Sequence, residues 1–118
     1  MVLKYFDLKE FECPCCKEVH MDEAFLKDLD TARGFTDTKF IITSGYRCSK
    51  HNAEVGGKPN SAHLAGKAVD IKCSNSSDRF EMIKVLTFVG FNRIGIGKNF
   101  IHVDSDETKP QKVIWTYY

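Results

Sequence analysis

The residues best suited to chemistry lie in two short stretches. S-A-H-L-A-G-K-A-V-D-I-K, residues 61–72, carries His63 and Asp70, and F-I-H-V-D, residues 100–104, carries His102 and Asp104. Two imidazoles and one carboxylate are a good donor set for Zn²⁺. Three protein ligands leave a fourth position open, as catalytic rather than structural zinc sites do. In a helix, His63 and Asp70 would share a face but stand roughly 10 Å apart along the axis, too far for one ion. Gly66 also weakens a helix there. The alternative is a turn followed by a strand. Val69 and Ile71 then face a core, Asp70 points the other way, and His63 reaches back from the turn. The same alternation sets Ile101 and Val103 on one face and His102 and Asp104 on the other. A single His is more often a surface or core residue than a ligand, so the combination carries the reading.

Elements that could position these residues follow from the rest of the chain. Leu3, Phe6, Leu8 and Phe11 form an apolar lead-in, followed by Cys13, Cys15, Cys16 and His20. The Cys-x-Cys-Cys run lacks a matching downstream pair, so free thiols in a turn compete with a zinc knuckle. Cys48 and Cys73 are expected to be free packing residues. Asp22 is expected to cap a helix with Met21, Phe25, Leu26, Leu29 and Ala32 on its apolar stripe and Gly34 at its end. Residues 39–43 predict a buried strand feeding the turn S-G-Y-R, and H-N-A-E-V a short helical turn. Asp78 with Glu81 has the spacing of a capping box, opening a helix that buries Phe80, Ile83, Leu86 and Val89 and stops at Gly90. Residues 93–96 and 100–104 predict short strands, and residues 112–118 a closing strand after the Lys109-Pro110 turn. Helices packed on a small, mostly antiparallel sheet make an α+β domain.

At 118 residues the chain is expected to form one domain, residues 1–118, with its own core. The apolar fraction of 42% fits a globular chain, and the net charge of +1 argues against a nucleic-acid or anionic-membrane partner. No apolar run approaches the ~20 residues that span a bilayer, and the N-terminus lacks the apolar region of a signal peptide. The expectation is a monomer that is cytoplasmic as synthesised and stays there unless something else releases it.

S-G-Y-R-C (44–48), H-N-A-E-V-G-G (51–57), S-A-H-L-A-G-K-A-V-D-I (61–71) and F-I-H-V-D (100–104) together resemble the zinc D-alanyl-D-alanine carboxypeptidase family, peptidoglycan peptidases of bacteria and phages. The hedgehog signalling domain shares their fold. The lead-in F-x-L-x-E-F-x-C, Phe6 to Cys13, resembles the short phage- or prophage-type members. The resemblance covers nearly the whole chain in order. It implies that His63, Asp70 and His102 are the zinc ligands, that Arg47 binds or polarises substrate, and that peptidoglycan stem peptides are the partner. The chemistry of the residues agrees. Arg47 offers a planar, permanently charged fork suited to a terminal carboxylate or an oxyanion, although a surface salt bridge is its plainer role. Ser61 suits a supporting loop hydrogen bond at the substrate side. His51 is expected to pack or cap locally, and His20 to face solvent.

The chain departs from the pattern at one place. Many similar members carry Glu or His three positions before the last ligand, as general base. Here that position is Asn99, which cannot take a proton. Asp104 is the nearest alternative, either as that base or as the carboxylate that orients a ligand imidazole. Three readings follow: a zinc-dependent peptidase cutting next to a D-amino acid; a zinc-containing binding domain without turnover; and an interaction module centred on the N-terminal cysteines. The intact donor set and Arg47 favour the first, and Asn99 favours the second.

Overall fold

Alternating burial builds the sheet that carries the site. The computed structural model describes residues 2–118. Five strands run β1 (Ile42–Ser44), β2 (Ala68–Lys72), β3 (Arg93–Ile96), β4 (Phe100–Asp104) and β5 (Val113–Thr116), in the spatial order β1-β2-β4-β3-β5. Every neighbouring pair is antiparallel except β3–β5, which is parallel. Val69, Ile71, Ile101, Val103 and Ile94 are fully buried on one face. Against that face pack α1 (Glu23–Gly34) and α3 (Ser76–Phe88), through Phe25, Leu26, Leu29, Met82, Val85 and Leu86. Phe6 and Phe11, flanking and ending a short 3-10 helix (Leu8–Phe11), close the same core. The α+β class expected from the sequence is the class observed.

Several local expectations shift. Asp22 does cap α1, its carboxylate accepting the Phe25 N–H at 2.9 Å, but Gly34 is the last helical residue and Phe35 the cap. The cap of α3 is Asn75, not Asp78: the Asn75 side chain accepts the Asp78 N–H at 2.8 Å. The buried stripe also differs from the expected one. Met82 and Val85 become buried beside Leu86, Ile83 and Val89 pack only at the margin, and Phe80 is 66% exposed. The first strand begins three residues late. Phe40 is buried ahead of it while Ile41 is exposed, so the residues that read as a continuous buried strand belong partly to its approach. The closing strand is shorter than expected, four residues on the sheet's edge.

Two glycines decide how the loops reach the sheet. Gly66 has φ +70, and a Cβ there would overlap the His20 carbonyl oxygen. Its own carbonyl accepts the Asp22 N–H at 2.8 Å, tying the His63 turn to the start of α1. Gly45 lies against the Phe11 backbone, with a Cβ position only 2.7 Å from the Phe11 Cα, and the next residue's N–H donates to the Phe11 carbonyl at 2.9 Å. The S-G-Y-R turn is thereby pressed onto the N-terminal segment. α2 (Ser49–Glu54) follows it directly.

Candidate metal centre and active site

The sheet face opposite the helices carries the polar cluster. Asp70 of β2 and His102 of β4 are direct cross-strand partners, and Ala68 faces Asp104 one step along. Cross-strand pairs put their side chains within contact distance. Here the Asp70 Oδ1 stands 2.9 Å from His102 Nδ1. The tight turn before β2 delivers His63, whose Nε2 lies 3.4 Å from the same Asp70 oxygen. The three donor atoms lie within 4.8 Å of one another. Zn–N and Zn–O bonds of about 2.0–2.2 Å in a tetrahedron place neighbouring donors roughly 3.4 Å apart, so the donor set and its spacing fit that ion.

Each imidazole is oriented by its second nitrogen. His63 Nδ1 is 2.8 Å from the Gly45 carbonyl, an acceptor, so it carries the proton and Nε2 is left with its lone pair toward Asp70. His102 is turned the other way. Its Nε2 is 2.7 Å from Asp104 Oδ2 and donates there, leaving Nδ1 toward Asp70. Asp104 is 2% exposed and both of its oxygens are engaged: Oδ1 accepts from Arg93 Nε at 2.7 Å and from the Asp106 N–H at 3.0 Å. The electrostatics follow this ladder. Burial opposes charge on Asp70, yet the His102 and His63 imidazoles, when a second proton makes them cationic donors, outweigh it and hold the carboxyl well below the usual range. Asp104 is lowered against burial in the same way by His102 and Arg93. Burial would depress the His102 imidazolium, but Asp104 and Asp70 raise its pKa.

Arg47 stands at the rim. Its Nε donates to Ser44 Oγ at 3.2 Å, Nη1 to Asn52 Oδ1 at 3.3 Å, and Nη2 lies 3.6 Å from Asp70 Oδ2. With 15% of its side chain exposed it is not the surface ion pair that a lone Arg suggests. Ser61 Oγ accepts the His63 N–H at 3.2 Å, so it braces the ligand turn and also borders the cavity. That cavity, about 460 Å³, is lined by Arg47, Ser61, His63, Asp70, His102 and Asp104 together with the cationic residues Lys58, Arg93 and Lys109.

Trp115 and Tyr117 also line it, and sequence reasoning missed them. Gly95 lies opposite both His102 and Trp115 in the sheet, and a Cβ there would meet the Trp115 and Tyr117 rings at 2.6–2.8 Å. The bare glycine lets the two aromatics lie over the strand beside His102, with ring centroids 5.7 and 6.5 Å away. Asn52 and Arg93 were missed as well. Buried Asn52 links Arg47 to the Lys58 carbonyl at 2.8 Å, and Arg93 stacks on Trp115 at 5.0 Å. The alternation of small and aromatic residues along G-I-G and V-I-W-T-Y-Y was the one available signal.

The other sequence candidates fall outside this cluster. His20 is exposed, paired with Glu18 at 3.3 Å and edge-on to Tyr46. His51 sits 4.0 Å from Glu54. Asn99 does not line the cavity of the metal cluster; it borders a neighbouring one with Arg47 and Asp70. Cys73 and Cys48 are both free, as expected; Cys73 is buried as a packing residue, whereas Cys48 is half-buried and meets Cys13 and Cys16.

Comparison with known proteins is consistent with this site. No curated protein matches the chain. A family model described as Peptidase M15 matches residues 4–104, which takes in the turn with Arg47, the His63–Asp70 stretch and His102. No helix among the described residues is long and apolar enough to cross a membrane. The match covers well over half of the sequence, and the chain therefore belongs to the peptidase M15 family, a family of zinc metallopeptidases.

Proposed function

We propose that the chain is a zinc-dependent peptidoglycan peptidase, hydrolysing a peptide bond next to a D-amino acid as a D,D-carboxypeptidase or an endolysin-like endopeptidase. His63, Asp70 and His102 are the metal ligands in this reading, and residues 1–118 are one peptidase domain. The observation that carries it is the convergence of those three donors on one sheet face, at ion-binding spacing, in the wall of a cavity rich in cationic side chains. Zn²⁺ held there supplies Lewis-acid polarisation of the scissile carbonyl and activates water.

The protein's own residues supply the rest. His63 presents Nε2 because the Gly45 carbonyl holds its other proton, and His102 presents Nδ1 because Asp104 does the same. Arg47 takes the substrate's terminal carboxylate or the developing oxyanion, with Ser44 and Asn52 fixing two of its nitrogens. Ser61 holds the His63 turn and flanks the bound peptide. Trp115 and Tyr117 shield the site from water along one wall. Asp104 contributes by holding His102 rather than by taking the water's proton, because both of its oxygens are already occupied by donors.

That same engagement, with Asn99 in place of an acidic or imidazole side chain, favours one second reading: a zinc-containing binding domain that keeps the fold without turnover. Purified muropeptides incubated with the zinc-loaded protein and read by mass spectrometry decide between the two. The peptidase reading expects loss of a D-alanine or opening of a cross-link, absent with His102→Ala. Retention of muropeptides on the protein with no change in mass supports the binding domain instead.

A further inference from the structure

The N-terminal cysteines form a second cluster, on the far side of the Arg47 turn. Cys13 and Cys16 belong to one tight loop. In it the Cys13 N–H donates to the Glu18 carbonyl at 2.9 Å and the Lys17 N–H to the Cys13 carbonyl at 2.8 Å. Lys17 has φ +62, a left-handed conformation that costs a non-glycine residue about 1 kcal/mol or more and persists where the surroundings impose it. The kink turns the chain back directly after Cys16. The third thiol comes from far along the sequence: Cys48, the residue after Arg47, caps α2. Sγ atoms of Cys13, Cys16 and Cys48 lie within 4.8 Å of one another, and Cys13 to Cys48 is 3.7 Å.

We infer that Cys13, Cys16 and Cys48 bind a second, structural Zn²⁺ that clamps the N-terminal segment to the Arg47 turn. Two thiolates on one tetrahedral zinc, each at about 2.3 Å, stand roughly 3.8 Å apart, which is the separation of Cys13 and Cys48. Three sulfurs converge where a disulfide would use two. Backbone donors already face two of them: the Cys48 N–H points at Cys13 Sγ and the His51 N–H at Cys48 Sγ, each at 3.5 Å. Such donors offset thiolate charge. Cys15 is exposed on the same loop, outside the three-thiol cluster, so a fourth position on the ion is open to it or to water. No cysteine lines the cavity of the His63–Asp70–His102 cluster, so the two clusters are separate.

The clamp has a structural consequence for the catalytic side. The segment it would hold includes Phe11, whose carbonyl receives the Tyr46 N–H, and the turn includes Gly45, whose carbonyl orients His63. Cys48 and Arg47 are neighbours. A metal bound behind the turn therefore fixes Arg47 and the His63 acceptor from the side away from substrate.

The inference is independent of the peptidase reading, and its test avoids activity. In reduced, full-length His63→Ala/His102→Ala protein, metal analysis should find about one Zn²⁺ per chain. Adding Cys13→Ser/Cys48→Ser should remove it. Because the quadruple variant can fail to fold, two measurements use the unaltered chain. Co²⁺ loading should give an intense thiolate-to-cobalt charge-transfer band, which a His/Asp set cannot produce. Zn²⁺ should also slow alkylation of Cys13, Cys16 and Cys48 at least tenfold. Cobalt-loaded protein without that band, alkylation unaffected by zinc, or a disulfide among these three in protein kept under reductant would each overturn the assignment.

Discussion

Asp104 and Arg47 place the chemistry at the residue scale. Asp104 sits two residues after His102 on β4, and the pleat puts both on one face, yet its contacts make it a holder of the imidazole. Asp104→Asn replaces an acceptor-only group by one whose NH₂ confronts either Arg93 or His102. Zinc affinity should fall ~10–100-fold, as it does when an orienting carboxylate is removed. A competition titration against a chelator measures this; a variant that loses turnover at unchanged zinc affinity would instead make Asp104 the base. Arg47→Lys should leave zinc content and fold intact but lower turnover ~10²-fold or more, because a point charge cannot reproduce the planar fork. Steady-state rates on muropeptides check it, and near-wild-type turnover would return Arg47 to a structural role. At this scale the candidate cluster was legible in part: residue types and spacing brought His63, Asp70 and His102 forward, and the resemblance to the D-alanyl-D-alanine carboxypeptidases implied them together as the ligand set. The orientation of His102 was not, since nothing local says which nitrogen meets Asp104 and which meets Asp70.

Strand alternation made half of the site readable at the element scale. Val69, Ile71, Ile101 and Val103 announce a buried face, and the intervening Asp70, His102 and Asp104 must then share the other. What period cannot reveal is pairing between distant segments. β5 adds to β3 in parallel, which brings Trp115 and Tyr117 over His102, and Cys48 meets a loop some thirty residues earlier. Helix α3 was misread twice over: Asn75 and Asp78 both suit a cap and the earlier one takes the role, and the apolar Phe80 reads as core although Met82 and Val85 fill that face and Phe80 is exposed. The turns that join these elements make two predictions. Gly66→Ala should destabilise the protein by more than the ~1–2 kcal/mol that a left-handed residue costs, because its Cβ also meets the His20 carbonyl; thermal melting reads it, and an unchanged melting temperature would show that the turn relaxes freely.

Asp106 gives the second. Burial works against its charge, but Lys109 and the Thr108 hydroxyl and N–H lower its pKa to about 2. Lys109 also donates to the Asn60 carbonyl at 2.6 Å, joining the β4–β5 connection to the loop beside the site. A carboxyl whose folded pKa is depressed stabilises the fold above its unfolded value of ~3.9 and loses that contribution as pH falls through about 2. Urea unfolding should therefore show Asp106→Asn less stable at neutral pH by up to about 2 kcal/mol, with the gap to wild type closing between about pH 4 and pH 2. A gap that stays constant across that range would mean the carboxylate's charge contributes nothing.

The whole molecule separates its two tasks by the two faces of one sheet. Helices α1 and α3 seal the apolar face, so the polar face can hold a row of alternating charge, from Arg93 through Asp104, His102 and Asp70 to Arg47, at the edge of a cavity. The family match ends at residue 104, but β5 beyond it supplies the aromatic wall, so the site is completed by residues outside the matched region. The claim on which the rest depends is that this row holds a metal through His63 Nε2, Asp70 and His102 Nδ1. Diffraction from zinc-loaded crystals, measured on both sides of the zinc absorption edge, tests it most directly. The account predicts an anomalous peak within about 2.0–2.2 Å of those three donors, with His102 Nε2 still on Asp104. A zinc-loaded crystal with no peak between them, or with the ion on His102 Nε2 in place of Asp104, would contradict it.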